Sequence, residues 1–174
     1  DAFLKFLRGL SEDRGAMAVL RRTLASDADG RNQIRAARYI EPFLIGVNDQ
    51  WQRSSYYLVA GLYALHPEES DRKFAEVLGE IWQSRDCAPS LEGRFLALLE
   101  SDTDQLAHRL RMLVQLVRSQ TKVSAGLDYA ELLSDVLRWR WSDRPVQRRW
   151  AREFYGRRAE TPGPTGSENM EVQA

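Results

Sequence analysis

Apolar side chains recur at helical spacing along almost the whole chain, and that spacing limits what it can fold into. The clearest case runs from Thr103 to Gln120, where Leu106, Leu110, Leu113, Val114 and Val117 stack on one face of a 3.6-residue helix. No run of alternating β-branched residues competes with this pattern, so the expected fold is all-α, with about eight to nine helices. With 174 residues and 43% hydrophobic content, the chain can bury a core without disulfides or metals.

Punctuation marks place the helices. Phe3–Leu10 and Arg14–Ser26 read as the first two, the second closed by a turn at Asp27–Gly30. A third covers Gln33–Ile45, interrupted at Pro42, and Asp49–Leu65 follows as a largely buried helix stopped before Pro67. Arg72–Gln83 is amphipathic. The segment Cys87–Ser90 carries a Pro and the N-cap candidate Ser90, and is the best internal boundary. Beyond it come Leu91–Leu99, Thr103–Gln120, Asp128–Trp139 and Pro145–Tyr155, the last opened by Pro at a first-turn position. The expected organisation is thus two small helical bundles, residues 1–86 and 87–160. A disordered tail, 161–174, rich in Pro and Gly, is expected after them.

Charge is distributed unevenly. Residues 138–158 carry eight arginines against Asp143 and Glu153, a local +6 in a chain of formal net charge zero. A preference of 22 arginines over three lysines is compatible with a G+C-rich genome, but a uniform preference does not create that separation. On a wheel, Arg144, Arg148, Arg149 and Arg152 fall on one side and Val146, Trp150 and Phe154 on the other. One face can enter a core while the other meets phosphate, for which the guanidinium fork is suited. Arg140 and Trp141 precede this helix, and Trp141 is the aromatic best placed to stack on a base. Arg21, Arg22, Arg53, Arg94, Arg111 and Arg118 are further candidates. Read singly, each is an ordinary exposed ion pair.

Catalytic patterns are missing from the sequence. His66 and His108 have no partner at metal-ligand spacing, Cys87 has no nucleophile signature, and there is no Gly-rich phosphate loop. His66 reads as a helix C-cap, and acidic pairs such as Glu68 with Glu69, or Asp102 with Asp104, read as helix starts. A non-enzymatic protein without cofactor or metal is expected. The single cysteine suits a reducing compartment, the longest apolar run, Tyr56–Leu65, is too short for a membrane span, and the first residues do not read as a signal peptide. The expected location is the cytoplasm.

The order of several motifs adds a family likeness. EGRFLALLESD, HRLRMLVQLVR, LDYAELLSDVLRW and the WAREFY ending, with the earlier LRR run and RSSYYLVAGLYALHP, together resemble the CasB family. That family is the small subunit of the type I-E CRISPR surveillance complex, Cascade. The resemblance implies an all-helical, non-enzymatic protein, present as two copies beside the other Cascade subunits and the crRNA. A basic face would guide the displaced non-target single-stranded DNA and help hold the R-loop open. By motif position the face would include Arg22, Arg53, Arg94, Arg144 and Arg148, and Arg111 or its neighbour Arg109 in the RLR run. Two other readings stay open: a purely structural subunit whose arginines meet acidic protein, and a stand-alone RNA-binding helical module.

Overall fold

A computed structural model describes residues 2–25, 30–120 and 126–156. Among them the chain forms α1 (Ala2–Gly9), α2 (Arg14–Arg22), α3 (Arg31–Ile40), α4 (Gln50–Leu65), α5 (Phe74–Ser84), α6 (Pro89–Glu100), α7 (Thr103–Arg118), α8 (Tyr129–Leu137) and α9 (Pro145–Gly156). The interruption expected at Pro42 is a 3₁₀ turn, Glu41–Phe43. The described residues contain no strand, only an isolated bridge between Glu69 and Leu127. The fold is all-α, as the periodicity predicts.

Four helices start on the same device. Asp13, Asp49, Asp102 and Asp128 each accept a hydrogen bond from the backbone N–H three residues on. Three details differ from the sequence expectation. Helix α2 stops at Arg22 rather than Ser26, where the Thr23 hydroxyl turns back to the Leu20 carbonyl and across to that of Tyr57. Ser90 is not a cap: Ala88 occupies that position and Pro89 the first turn. Glu68 and Glu69 do not open a helix but run extended beside Leu127, whose N–H donates to the Glu68 carbonyl at 3.0 Å. Of the turn expected at Asp27–Gly30, residues 27–29 lie outside the described residues, as does the tail expected from Thr161.

Helix α4 is the central element. It is buried continuously from Tyr57 to Leu65 and packs on α2, α3, α7 and α8, as a helix apolar all round must. Its Gly61 lets α2 in closely, since a Cβ there would lie 2.7 Å from Thr23 Oγ1 and 2.8 Å from Leu24. Helix α5 precedes Cys87 but packs on α9 and α7, which follow it. Its Gly79 meets the backbone of Phe154 directly. The N-terminal halves of α4 and α7 border one hollow, and Ala64, Leu65 and Arg118 border another at their C-terminal ends, so the two helices run side by side in the same direction. None of the helices among the described residues is long and apolar enough to cross a membrane.

Candidate nucleic-acid interface

Helix α9 divides much as the wheel predicts. Val146, Trp150 and Phe154 are buried, with Phe154 stacked on Phe95 at 4.0 Å and Trp150 edge-on to Trp139 at 5.2 Å. Arg148 and Arg152 lie exposed on the other side, with no side-chain partner among the described residues. Arg144, also exposed, precedes the helix in a left-handed backbone conformation (φ 52°) and donates to the Leu99 carbonyl. Spacing of four residues keeps Arg148 and Arg152 on one face of the helix, while Arg144 stands outside the helical repeat at its start.

Arg149 departs from that expectation. Its side chain turns inward, 26% exposed, and pairs with Asp135, with Glu153 at 3.2 Å and with Glu131 at 3.5 Å. Lys73 of the α4–α5 connection bridges Glu153 and Glu131 at 3.0 and 3.5 Å, and Trp150 Nε1 donates to the buried Asp135 at 2.8 Å. The acids that draw Arg149 inward stand largely on α8, which a wheel of α9 alone does not contain. A hydrogen bond to Glu153 raises the Lys73 pKa, and burial raises that of Glu131.

Between α8 and α9 lies a concavity of about 410 Å³, bordered by Arg140, Trp141 and Arg144 and by Asp102 and Thr103 at the start of α7. Trp141 is 54% exposed, whereas Trp139 and Trp150 are 3% and 1% exposed and belong to the core. The Arg138 guanidinium lies 6.0 Å from the Trp141 ring centroid. Arg140 pairs with Asp49 at 2.9 Å, the carboxylate that caps α4. The backbone N–H of Gln52, and after it Arg140, hold the Asp49 carboxyl below the usual carboxylate range.

The remaining candidates are dispersed. Arg21 and Arg118 border a cleft of about 470 Å³ with Arg14, Met17, Leu65 and Pro67. Arg22 is exposed at the end of α2, and Arg111 donates to the Leu24 carbonyl at 3.1 Å. Arg94 and Arg109 border a smaller hollow of about 210 Å³ on the outer side of α6 and α7, with His108 and Met112. Arg53 is committed inward, paired with Glu41 and donating to the Val47 carbonyl at 2.9 Å. Arg14 was not among the sequence candidates, although its position seven residues before Arg21 places both on one face of α2. His66 is the buried C-cap of α4, and no group of three or more His, Cys, Asp or Glu among the described residues is placed to hold a metal.

Comparison with known proteins gives the family. A model described as CRISPR-associated protein Cse2 (CRISPR_cse2) matches residues 16–155. A CRISPR-associated protein Cse2 of Thermus thermophilus is 44% identical over 156 residues, covering 88% of this chain and 86% of that protein. The crystal structure of CasB from Thermus thermophilus matches with a TM-score of 0.74 at 43% identity, over 89% of this chain and 96% of that one. The crystal structure of M. ruber CasB matches with a TM-score of 0.76 at 34% identity, over 89% and 91% of the two chains. With a family model over most of its length and relatives this similar, the chain belongs to the CRISPR-associated Cse2 family.

Proposed function

We propose that the protein is a non-catalytic small subunit of a CRISPR surveillance complex, Cascade, and grips single-stranded nucleic acid without reading its sequence. Family membership supports the assembly, in which its partners are the other subunits, the crRNA, a second copy of itself and the displaced DNA strand, in the cytoplasm. The observation that carries the nucleic-acid reading is the pair of exposed arginines on one face of α9, Arg148 and Arg152, with Arg144 at the start of the helix bordering the same concavity as the exposed Trp141 and Arg140. Backbone contacts with an occasional stacked base are enough for such a grip. R-loop formation is nearly balanced, so a modest hold on the displaced strand shifts it.

The test removes Arg144, Arg148 and Arg152 together, each to Ala. Two of the three have no partner to lose among the described residues and the third bonds only a carbonyl, so the helical spectrum should stay intact. Losing about three phosphate contacts should flatten the salt-dependence slope for a single strand by about two units, with all sequences weakened alike. Unchanged binding at every salt concentration would refute the reading and favour a structural subunit whose arginines meet acidic protein.

A further inference from the structure

We infer that one strand is held at both ends of the α4–α7 pair, with Arg14, Arg21 and Arg118 forming a second phosphate grip remote from the Arg144 row. The inference rests on the nucleic-acid reading above and adds a site, a new residue and a length requirement to it. Arg14 and Arg21 stand two turns apart on one face of α2, and Arg118 closes the cleft from the last turn of α7. Among the described residues no acidic side chain borders the cleft. Arg14 and Arg118 have no side-chain partner among them, and Arg21 uses only Nε, donating to the Ala64 carbonyl at 3.1 Å. No described aromatic ring borders it either, so this end suits phosphate rather than a stacked base.

The two sites mark opposite ends of the same helices. The concavity of Arg140, Trp141 and Arg144 meets the first turn of α7, and Arg140 pairs with the cap of α4. The cleft meets the last turns of both. Helix α7 has 16 residues, so the ends are roughly 24 Å apart. Arg111, seven residues before Arg118 on α7, lies along the way and is tied to the end of α2 through Leu24. At a stacked rise of about 3.4 Å per nucleotide, a strand needs about seven nucleotides to engage both ends, and fewer if it is extended. A strand too short to span that distance holds one end only. Linking the two contacts makes the second one intramolecular, so affinity should rise in a step with length.

The experiment uses the full chain and fluorescein-labelled oligothymidylates of about four and about twelve nucleotides, read by anisotropy at low salt. The longer strand should bind the parent about tenfold tighter or more, beyond the statistical gain from extra registers. The paired substitution Arg14→Gln and Arg118→Gln should compress that step to about threefold or less. A parent without a step, binding both strands alike, overturns the two-ended grip while leaving the nucleic-acid reading in place. A step that survives the paired substitution overturns the role of the cleft and leaves it to a protein partner. Failure of both strands to bind overturns the inference together with the function it rests on.

Discussion

Substituting alanine at two glycines should have opposite effects, although both lie inside helices. Each Gly→Ala change removes the same helix-propensity penalty, about 0.8–1 kcal/mol in favour of the variant. At Gly93 in α6 a new Cβ meets nothing within 4 Å, so that gain should appear nearly undiminished. At Gly79 in α5 the Cβ would overlap the Phe154 carbonyl oxygen and lie 3.1 Å from its carbonyl carbon and its Cα. These are backbone atoms, so relief requires α9 to move as a body, disturbing the Phe95–Phe154 stack at 4.0 Å and the Trp82–Phe154 contact at 5.1 Å. Overpacking of this kind costs about 1–3 kcal/mol, occasionally more. A steric cost in the upper half of that range exceeds the propensity gain. Gly79→Ala should therefore be destabilised by about 1–2 kcal/mol, which for a chain of this size lowers the melting temperature by about 2–8 °C. Gly93→Ala should melt about 2–4 °C higher than the parent. Differential scanning fluorimetry with a circular-dichroism melt reads both. A Gly79→Ala protein as stable as Gly93→Ala would show that α5 and α9 do not approach backbone to backbone.

Trp150→Ala should cost about 3–5 kcal/mol in urea unfolding, because it opens a cavity under α9 and removes a donor from the buried Asp135. Trp141→Ala should change stability by less than about 0.5 kcal/mol, and comparable losses in both would refute the division of core from surface. Alkaline titration gives an independent check. Burial, and then Glu92, push the Tyr155 phenol up to about 12, and burial raises Tyr57 and Tyr129 further. The unfolded phenols release protons near pH 10 while the folded ones keep theirs, so this stability is whole below about pH 10 and declines above it. The melting temperature should fall steeply through about pH 10–12, and absorbance at about 295 nm should show fewer than the six tyrosines ionising before unfolding. Ionisation of all six near pH 10 in the folded protein would refute the burial of Tyr57 and Tyr129.

Features encoded within one or two helical turns were legible in the sequence. The stripe from Leu106 to Val117 and the helix starts at Asp49, Asp102, Asp128 and Pro145 all reappear within a residue or two of their expected places. Features encoded between helices were not. Nothing near Arg149 announces that Lys73, Glu131 and Asp135 will surround it, and nothing near Arg53 announces Glu41. Glu68 and Glu69 resemble a helix start locally, yet their backbone pairs with Leu127, far along the chain. Asp13 beside Arg14 balances the local charge, and the cleft that Arg14 borders exists only where α4 and α7 end together. The likeness of the chain to CasB depended on motif order, which survives without knowledge of contacts.

One hydrogen bond described above sets the cost of using the remote cleft. Helix α4 has no basic residue in its own last turn, so its terminal carbonyls present an uncompensated negative dipole end. Arg21, reaching from α2 to the Ala64 carbonyl, supplies that compensation from outside the helix. Its guanidinium is therefore oriented when the protein folds, and the freedom of its long side chain is lost then rather than on meeting an anion. The cleft thus holds one arginine prepared in advance and two, Arg14 and Arg118, still to be ordered by the ligand. Replacing Arg21 would loosen the end of α4 as well as weaken binding, which confounds structure with affinity. Its two partners separate those effects.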